Sequence, residues 1–382
     1  MPNELPDADR AHMRRALDLA RLGWGQTAPN PMVGAVVVRD GAVVAEGYHA
    51  RFGEVHAEVV ALAAAGERAR GATLYVTLEP CAHQGKTPPC ADAVIAAGVR
   101  RVVIASVDPN PEATGGAAKL RRAGIVVEIG LEAEAARELN AAFFHAFTST
   151  RPWIILKLAT SLDGAIADAS RRRGSAGNWL TGDESRRDVH RMRAGVDAIA
   201  VGVGTVLADD PMLTVRDAPA PRVPPRRIIF DSELRTPLGA GLVRGARIVP
   251  TTIIARRAGP DRRDAMAAAG VDVRVYETLE AALRGLAVDG VRAMLVEGGA
   301  RLAASLLEQG MVDRLVIFQA PVVLGADALN PFAHLSSAAA AALGHLRVIE
   351  RVTLGSDLKT TFALGAALCS QDSSTTSERS SG

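Results

Sequence analysis

The sequence predicts two α/β domains in tandem, and three observations support this. Its 382 residues are too many for one ordinary domain and suit two. Short β-rich runs alternate with helical stretches, the pattern of sheets carrying helices on their faces. The pattern also restarts once, after Ser149 to Pro152, with a strong strand at Trp153 to Ala159. Hydrophobic residues make up 48%, enough for two buried cores.

In the first half, Asp7 and Asp9 stand ahead of AHMRRALDLARLG, and residues 9 to 23 read as an amphipathic helix. Val36 to Val38 and Val43 to Ala45 flank Asp40-Gly41, a strong hairpin signal. His56 to Ala65 reads as a helix, Thr73 to Leu78 as a strand and Ala91 to Ala97 as a helix. Val102 to Ser106 is a strand, Gly116 to Ala123 a helix and Ile125 to Ile129 a strand, and one longer helix covers Glu132 to Phe147.

In the second half, Leu162-Asp163-Gly164 forms a turn and residues 168 to 178 a polar, glycine-containing loop. Asp183 to Arg193 is a helix capped by Thr181 or Asp183, and Ala198 to Val203 a strand ending in Gly202-Val-Gly204-Thr. Residues 217 to 225 are proline-rich and irregular, and Arg226 to Asp231 and Arg247 to Ala255 are strands. Strand 271–275, helix 278–287, strand 292–296 and helix 300–309 follow. Three strands, Arg314 to Gln319, Leu346 to Thr353 and Leu358 to Ala363, imply an antiparallel finish to a parallel sheet. The domains are expected at 1–148 and 152–366, followed by a polar, disordered tail at 370–382.

The formal net charge is only +2, with 44 basic and 42 acidic residues interspersed, so no nucleic acid or other polyanionic partner is expected. The short runs Arg171-Arg172-Arg173 and Arg226-Arg227 read as solvated loops. The three cysteines, Cys81, Cys90 and Cys369, form no oxidised framework and point to a reducing, cytoplasmic setting. The segment MPNELPDADR lacks the apolar core of a signal peptide, and no run approaches the roughly 18 apolar residues of a membrane span.

The stretch with the clearest chemistry is Gly53 to Cys90. His56, Cys81 and Cys90 offer one imidazole and two thiolates, a three-ligand zinc set that leaves a fourth position for water. Zinc would bring that water's pKa toward about 7. Glu58, two residues from His56, is placed to take a proton during attack on an amidine-type ring carbon and return it to the departing amine. This is close to the zinc nucleobase deaminase signature, H-x-E followed by P-C-x-x-C. Eight residues separate the cysteines here, against two in that signature. On a regular helix, residues two apart point about 200° away from each other. His56 must therefore sit at the very start of its helix. Cys90, after Pro88-Pro89, should open another, where the helix N-terminus favours a thiolate. Zinc is then expected between two helix N-termini, with Cys81 supplied from the loop after a strand. The rival reading is a closed structural site with His83 as fourth ligand.

NPMVGAVVV, GYHARFGEVHAEVVAL and EPCAHQGKTPPCADAVI resemble the deaminase domain of the bifunctional deaminase–reductases of riboflavin biosynthesis. The resemblance implies a cytidine-deaminase-like three-layer α/β/α domain with zinc on His56, Cys81 and Cys90 and Glu58 as proton shuttle. It also implies Asn30 and His49 as substrate contacts. The substrate would be a small diamino-hydroxy-phosphoribosylamino-pyrimidine that loses its ring 2-amino group. Two departures stand at Ala35, where the family often has cysteine, and Gln84, where a second histidine is common. Neither position is a metal ligand.

The second half is harder to read by itself. Val296-Glu297-Gly298-Gly299 ends a strand and opens a helix, where free backbone N–H groups suit a phosphate, although glycines there are also ordinary turn chemistry. Gly202-x-Gly204-Thr is weaker, and no full G-x-G-x-x-G occurs. However, KLATSLDGAIA, NWLTGDESRRDVHRMRAGVDAIAVGVGTVLADDPMLTVR, IIFDSELRTP and VEGGARLAASLLEQGMVDRL recur in order and resemble the reductase domain of the same family, which is similar in fold to dihydrofolate reductase. The resemblance implies an NADPH-dependent reduction of ribosyl to ribityl. NADPH would meet Thr160, Trp179, Thr205, Asp209 and Ser232, and the turn Gly299, Ala300, Arg301, Leu302, Ala303, Ala304 and Ser305. The substrate would meet Arg193, Leu213, Arg216 and Glu297, the arginines suiting a phosphate. A homo-oligomer is also implied. Gly177 replaces the serine usual two residues before Trp179, which leaves a regulatory second domain as the alternative.

Overall fold

The computed structural model describes residues 7–84, 88–167 and 179–364. The expected loop at 168–178 and tail at 370–382 lie outside the described residues. Packing divides the chain into two compact units. One comprises the described residues up to Trp153 with Arg186–Leu295, the other the described residues between Ile154 and Ser185 with those from Val296 to Leu364.

The first unit holds a five-stranded sheet of β1 (Gly34–Arg39), β2 (Ala42–Tyr48), β3 (Thr73–Leu78), β4 (Arg101–Ser106) and β5 (Val126–Ile129), in the order β2-β1-β3-β4-β5. β1 runs antiparallel to β2 and β3, whereas β3, β4 and β5 are parallel. Side chains alternate between faces along each strand. Ala35, Val37, Leu74, Val76, Val102 and Ile104 enter one core, with Ala57, Ala61, Ala91, Val94 and Leu120 of the helices Ala57–Ala65, Cys90–Ala96 and Gly116–Arg122. Val36, Tyr75, Val103 and Ala105 enter the opposite core, with Met13, Ala16 and Leu17 of helix Asp7–Ala20 and with Ala136. This is the expected three-layer α/β/α arrangement. The β1–β2 turn has positive φ at both Asp40 (52°) and Gly41 (79°), which the Asp-Gly pair tolerates.

The expected helix from Glu132 to Phe147 is broken into Ala133–Leu139 and Ala141–His145. At the break, the Asn140 amide accepts from Met32 N at 2.8 Å and donates to Met32 O at 2.9 Å. This buried side chain is fully engaged with a distant backbone, and the helix is interrupted where it does so.

The second sheet contains β6 (Trp153–Thr160), β7 (Ala198–Gly202), β8 (Arg226–Phe230), β9 (Thr251–Ala255), β10 (Asp272–Val275), β11 (Ala293–Glu297), β12 (Arg314–Gln319), β13 (Arg347–Leu354) and β14 (Asp357–Ala363). The order is β10-β9-β8-β7 within the first unit and β6-β12-β14-β13 within the second. β7 to β10 pair in parallel, as do β6 and β12, and β14 is antiparallel to both β12 and β13. The antiparallel finish is therefore present.

Three readings in this half need correction. The strand expected from Arg247 starts at Thr251. Residues ahead of it form a turn whose Val249 carbonyl accepts from Arg227 Nη2 at 2.9 Å. Arg227 is not in a solvated loop, because it is only 1% exposed within β8. Its guanidinium also bonds Thr251 Oγ1 and Leu242 O, which satisfies donors that burial would otherwise leave unpaired. β7 is followed directly by a helix, Val203–Asp209, where only a strand end was read. Among the described residues no helix is long and apolar enough to cross a membrane.

Candidate metal centre and active site

Two helix starts and one loop around the first sheet deliver the metal-ligating atoms. His56 is the N-cap of helix Ala57–Ala65 and keeps an extended backbone (φ −75°, ψ 158°), so its ring and the Glu58 carboxylate are not forced onto opposite sides. Cys90 is the first residue of helix Cys90–Ala96, behind Pro89. Cys81 lies in the loop after β3. One ligand atom from each of His56, Cys81 and Cys90 lies within 4.8 Å of the others. His56 Nδ1 is 3.1 Å from Cys90 Sγ and 3.8 Å from Cys81 Sγ. This is the expected placement between two helix N-termini.

The donor set fits zinc, because one imidazole nitrogen and two sulfurs form three legs of a tetrahedron. Cys81 Sγ also accepts from Cys90 N at 3.3 Å, which stabilises a thiolate. The hydrogen bond shared with Cys90 is the main reason the Cys81 thiol is lowered to about 4, and the same contact with burial pushes Cys90 up. His56 is raised, chiefly by its contact with Cys81. His83 is not part of the cluster, so among the described residues the centre keeps three ligands.

A cavity of about 270 Å³ opens beside these atoms, and Asn30, His49, His56, Glu58 and Cys81 line it together. Glu58 is only 4% exposed. Burial raises its carboxyl to about 7, near the value a proton carrier needs at neutral pH. His49 faces the His56 ring edge-on with centroids 5.3 Å apart. Its Nδ1 lies 3.2 Å from Val55 O, and its Nε2 lies 3.3 Å from Asn30 Nδ2. Burial lowers its pKa and favours the neutral ring; in that form Nδ1–H donates to Val55 O, which can only accept, and Nε2 accepts from Asn30 Nδ2.

The sequence reading missed several residues of this cavity. Asp108, Asn110 and Phe143 line it, and so does Glu79, the first residue of the EPCAHQGKTPPCADAVI segment. Burial raises Asp108 to about 6, and its Oδ1 accepts from Asn110 N at 2.9 Å. Asp108-x-Asn110 carries a turn signal in the sequence, but nothing in its spacing ties it to His56.

Several of the residues implied for the reductase, Thr160, Thr205, Ser232, Glu297 and Gly299 among them, lie at or just beyond strand ends, where α/β sheets hold ligands. In the first unit, Thr205 and Asp209 lie on helix Val203–Asp209 after β7, and Ser232 follows β8. Arg193 Nη1 donates to Thr214 O at 2.8 Å, and Arg216 Nη1 to Thr214 Oγ1 at 3.3 Å. Leu213, buried and at φ 47°, lies beside them, so these three expected substrate residues come together. In the second unit, buried Thr160 ends β6 and Glu297 ends β11, whereas Trp179 is 69% exposed. Gly298 and Gly299 take positive φ (69° and 86°) ahead of helix Ala300–Glu308, whose first turn has no side-chain cap. Ala300, Leu302, Ala303 and Ala304 are buried in its core-facing side, and Arg301 and Ser305 are exposed.

Comparison with known proteins agrees with both halves. Residues 152–359 match the family described as RibD C-terminal domain. Residues 6–106 match the cytidine and deoxycytidylate deaminase zinc-binding region. The riboflavin biosynthesis protein RibD of Aquifex aeolicus is 46% identical over 322 residues, covering 84% of this chain and 88% of that protein. The Escherichia coli RibD is 42% identical over 337 residues, covering 84% and 89%. A solved Acinetobacter baumannii RibD superposes with a TM-score of 0.79 at 36% identity, covering 94% of this chain and 99% of that one. A Thermotoga maritima diaminohydroxyphosphoribosylaminopyrimidine deaminase/5-amino-6-(5-phosphoribosylamino)uracil reductase does so with a TM-score of 0.79 at 34% identity, with the same coverage. A deaminase-type zinc centre at one end and a matching reductase segment at the other, in one chain, show that it belongs to the RibD family of bifunctional deaminase–reductases of riboflavin biosynthesis.

Proposed function

We propose that the chain deaminates 2,5-diamino-6-(5-phosphoribosylamino)pyrimidin-4(3H)-one and then reduces the product with NADPH to 5-amino-6-(5-phosphoribitylamino)uracil. The deaminase activity would reside in residues 1–148, the reductase activity in 152–366. The observation that carries the reading is the clustering of His56, Cys81 and Cys90 beside a cavity that His56, Cys81 and a buried Glu58, raised to about 7, line together. The Thermotoga maritima relative, which bears the corresponding pair of activities, supports the choice of substrate.

His56, Cys81 and Cys90 would hold zinc, which when bound acts as a Lewis acid and lowers the pKa of water toward about 7. Glu58 takes a proton from the attacking water and returns it to the leaving amine. The bond from the ring carbon to its exocyclic amine breaks, ammonia departs, and the water oxygen remains as the carbonyl on that ring carbon. Neutral His49 and Asn30, locked together at 3.3 Å, would orient the pyrimidine edge. For the second step, NADPH when bound would be the source of hydride for the ribosyl carbon. Arg193 and Arg216 would hold the phosphate, and the uncapped turn after Gly299 would meet the dinucleotide. The free thiols of Cys81 and Cys90 fit a reducing, cytoplasmic compartment.

The test is direct. In Glu58→Gln, deamination should fall by at least about 100-fold, while zinc content stays near one per chain. Surviving activity would refute the proton-shuttle role. Supplying the deaminated intermediate with NADPH, then with NADH, should consume NADPH. Consumption of neither would instead make the second half regulatory.

A further inference from the structure

A buried carboxylate stands two residues ahead of Cys81 and belongs neither to the ligand set nor to the proton shuttle. Glu79 is 4% exposed. Its Oε1 accepts from Gly115 N at 3.1 Å and Ala117 N at 2.9 Å. Its Oε2 accepts from Thr114 Oγ1 at 3.2 Å and Asp108 N at 3.4 Å. All four donors come from the segment after β4, which supplies Asp108, Asn110 and Ala113 to the cavity wall. Gly115, the N-cap of helix Gly116–Arg122, has no side chain with which to cap it. Glu79 supplies the missing acceptor from a distant strand end.

The backbone repeats the same junction. Glu79 N donates to Ser106 O at 2.9 Å and Ala82 N to Ala113 O at 3.1 Å, one on each side of Pro80-Cys81. A Cβ on Gly116 would lie 1.7 Å from Pro80 O, so the helix start is pressed directly onto the turn that presents Cys81. We propose that Glu79 is a positioning residue for deamination, whose carboxylate clamps the Cys81 turn to the 108–117 segment and so fixes a metal ligand and the facing substrate wall in one register. The inference rests on the deaminase reading above.

A carboxylate suits the site because three of the four neighbours are backbone N–H groups that can only donate. Glutamine would turn an NH₂ group toward at least one of these N–H groups and lose its bond, since only the Thr114 hydroxyl could accept instead. Removing such an outer support of a metal ligand typically costs about 10–100-fold in metal affinity or activity.

The experiment uses the full-length, zinc-loaded chain and its Glu79→Gln and Gly116→Ala variants. It measures zinc loss to a chelator, the thiolate-to-metal absorption of the cobalt-substituted protein, deaminase kcat and KM, and the circular dichroism spectrum. We expect Glu79→Gln to lose zinc about tenfold faster, shift the cobalt–thiolate band and lower deaminase kcat by about 10–100-fold, with an unchanged dichroism spectrum. Zinc retention, cobalt spectrum and kcat all equal to those of the unsubstituted chain would overturn the inference. Should Glu79→Gln not fold, Gly116→Ala decides. It keeps the carboxylate but forces the helix start off Pro80, and the same losses support the clamp while their absence refutes it. An unsubstituted chain without deaminase activity would remove the deaminase reading itself. An active one with an indifferent Glu79→Gln removes only the clamp.

Discussion

Asp9, in helix Asp7–Ala20, ties three elements of the N-terminal sheet together through one carboxylate. It accepts from the Tyr75 hydroxyl and from Arg101 Nη1 and Nη2 at 3.2 and 2.6 Å. Arg101 reaches Glu128 on β5 at 2.8 and 2.9 Å. The Arg101 hydrogen bonds hold the Asp9 carboxyl below its ordinary value, against the opposing effect of burial. A carboxylate with a depressed folded pKa contributes stability that is present above its unfolded pKa, about 3.9. That contribution is lost as pH falls through the folded value. Asp9→Asn should therefore cost about 2 kcal/mol near neutrality. The gap in melting temperature between the two proteins should close as pH drops below about 4. Melting curves across that range test this, and a gap that persists at low pH would mean that the Asp9 charge is not what matters.

At the scale of elements, the helix that carries the site is set by how closely it approaches the sheet. A Cβ on Gly47 of β2 would lie 2.6 Å from both Ala57 O and Ala61 N, which are backbone atoms of helix Ala57–Ala65. That helix has His56 at its cap and Glu58 in its first turn. Gly47→Ala should push it outward, cost about 1–3 kcal/mol in urea unfolding and lower deaminase kcat by at least about tenfold. Unchanged kcat with reduced stability would show that the site tolerates the shift. Elements such as β3 and β12 were legible because their apolar residues are short, bounded and β-rich. The break at Asn140 was not, because its cause is Met32, far away in sequence. The helix Val203–Asp209 was hidden by glycines that look like a turn. The site divides in the same way. His56, Glu58, Cys81 and Cys90 come from one stretch whose spacing encodes the chemistry. Asp108, Asn110 and Phe143 reach the cavity only through the sheet order, and Glu79 acts through a strand end and a helix start that no local pattern joins.

For the whole molecule, the proposed assignment has the two activities draw on different residues. Every residue lining the metal-side cavity lies between Asn30 and Phe143. Every residue assigned to the reductase follows Trp153, and among the described residues the only cluster able to hold a metal is His56, Cys81 and Cys90. Metal dependence should therefore separate the two steps. Stripping zinc with a chelator should abolish ammonia release and leave NADPH consumption on the deaminated intermediate within about twofold, since hydride transfer relies on placement of the nicotinamide and not on this centre. Returning one equivalent of zinc should restore deamination. Paired ammonia and NADPH assays on one stripped sample test this directly. Equal loss of both activities would mean that the metal supports the fold of the reductase segment as well, part of which, Arg186–Leu295, packs in the same compact unit as the metal ligands.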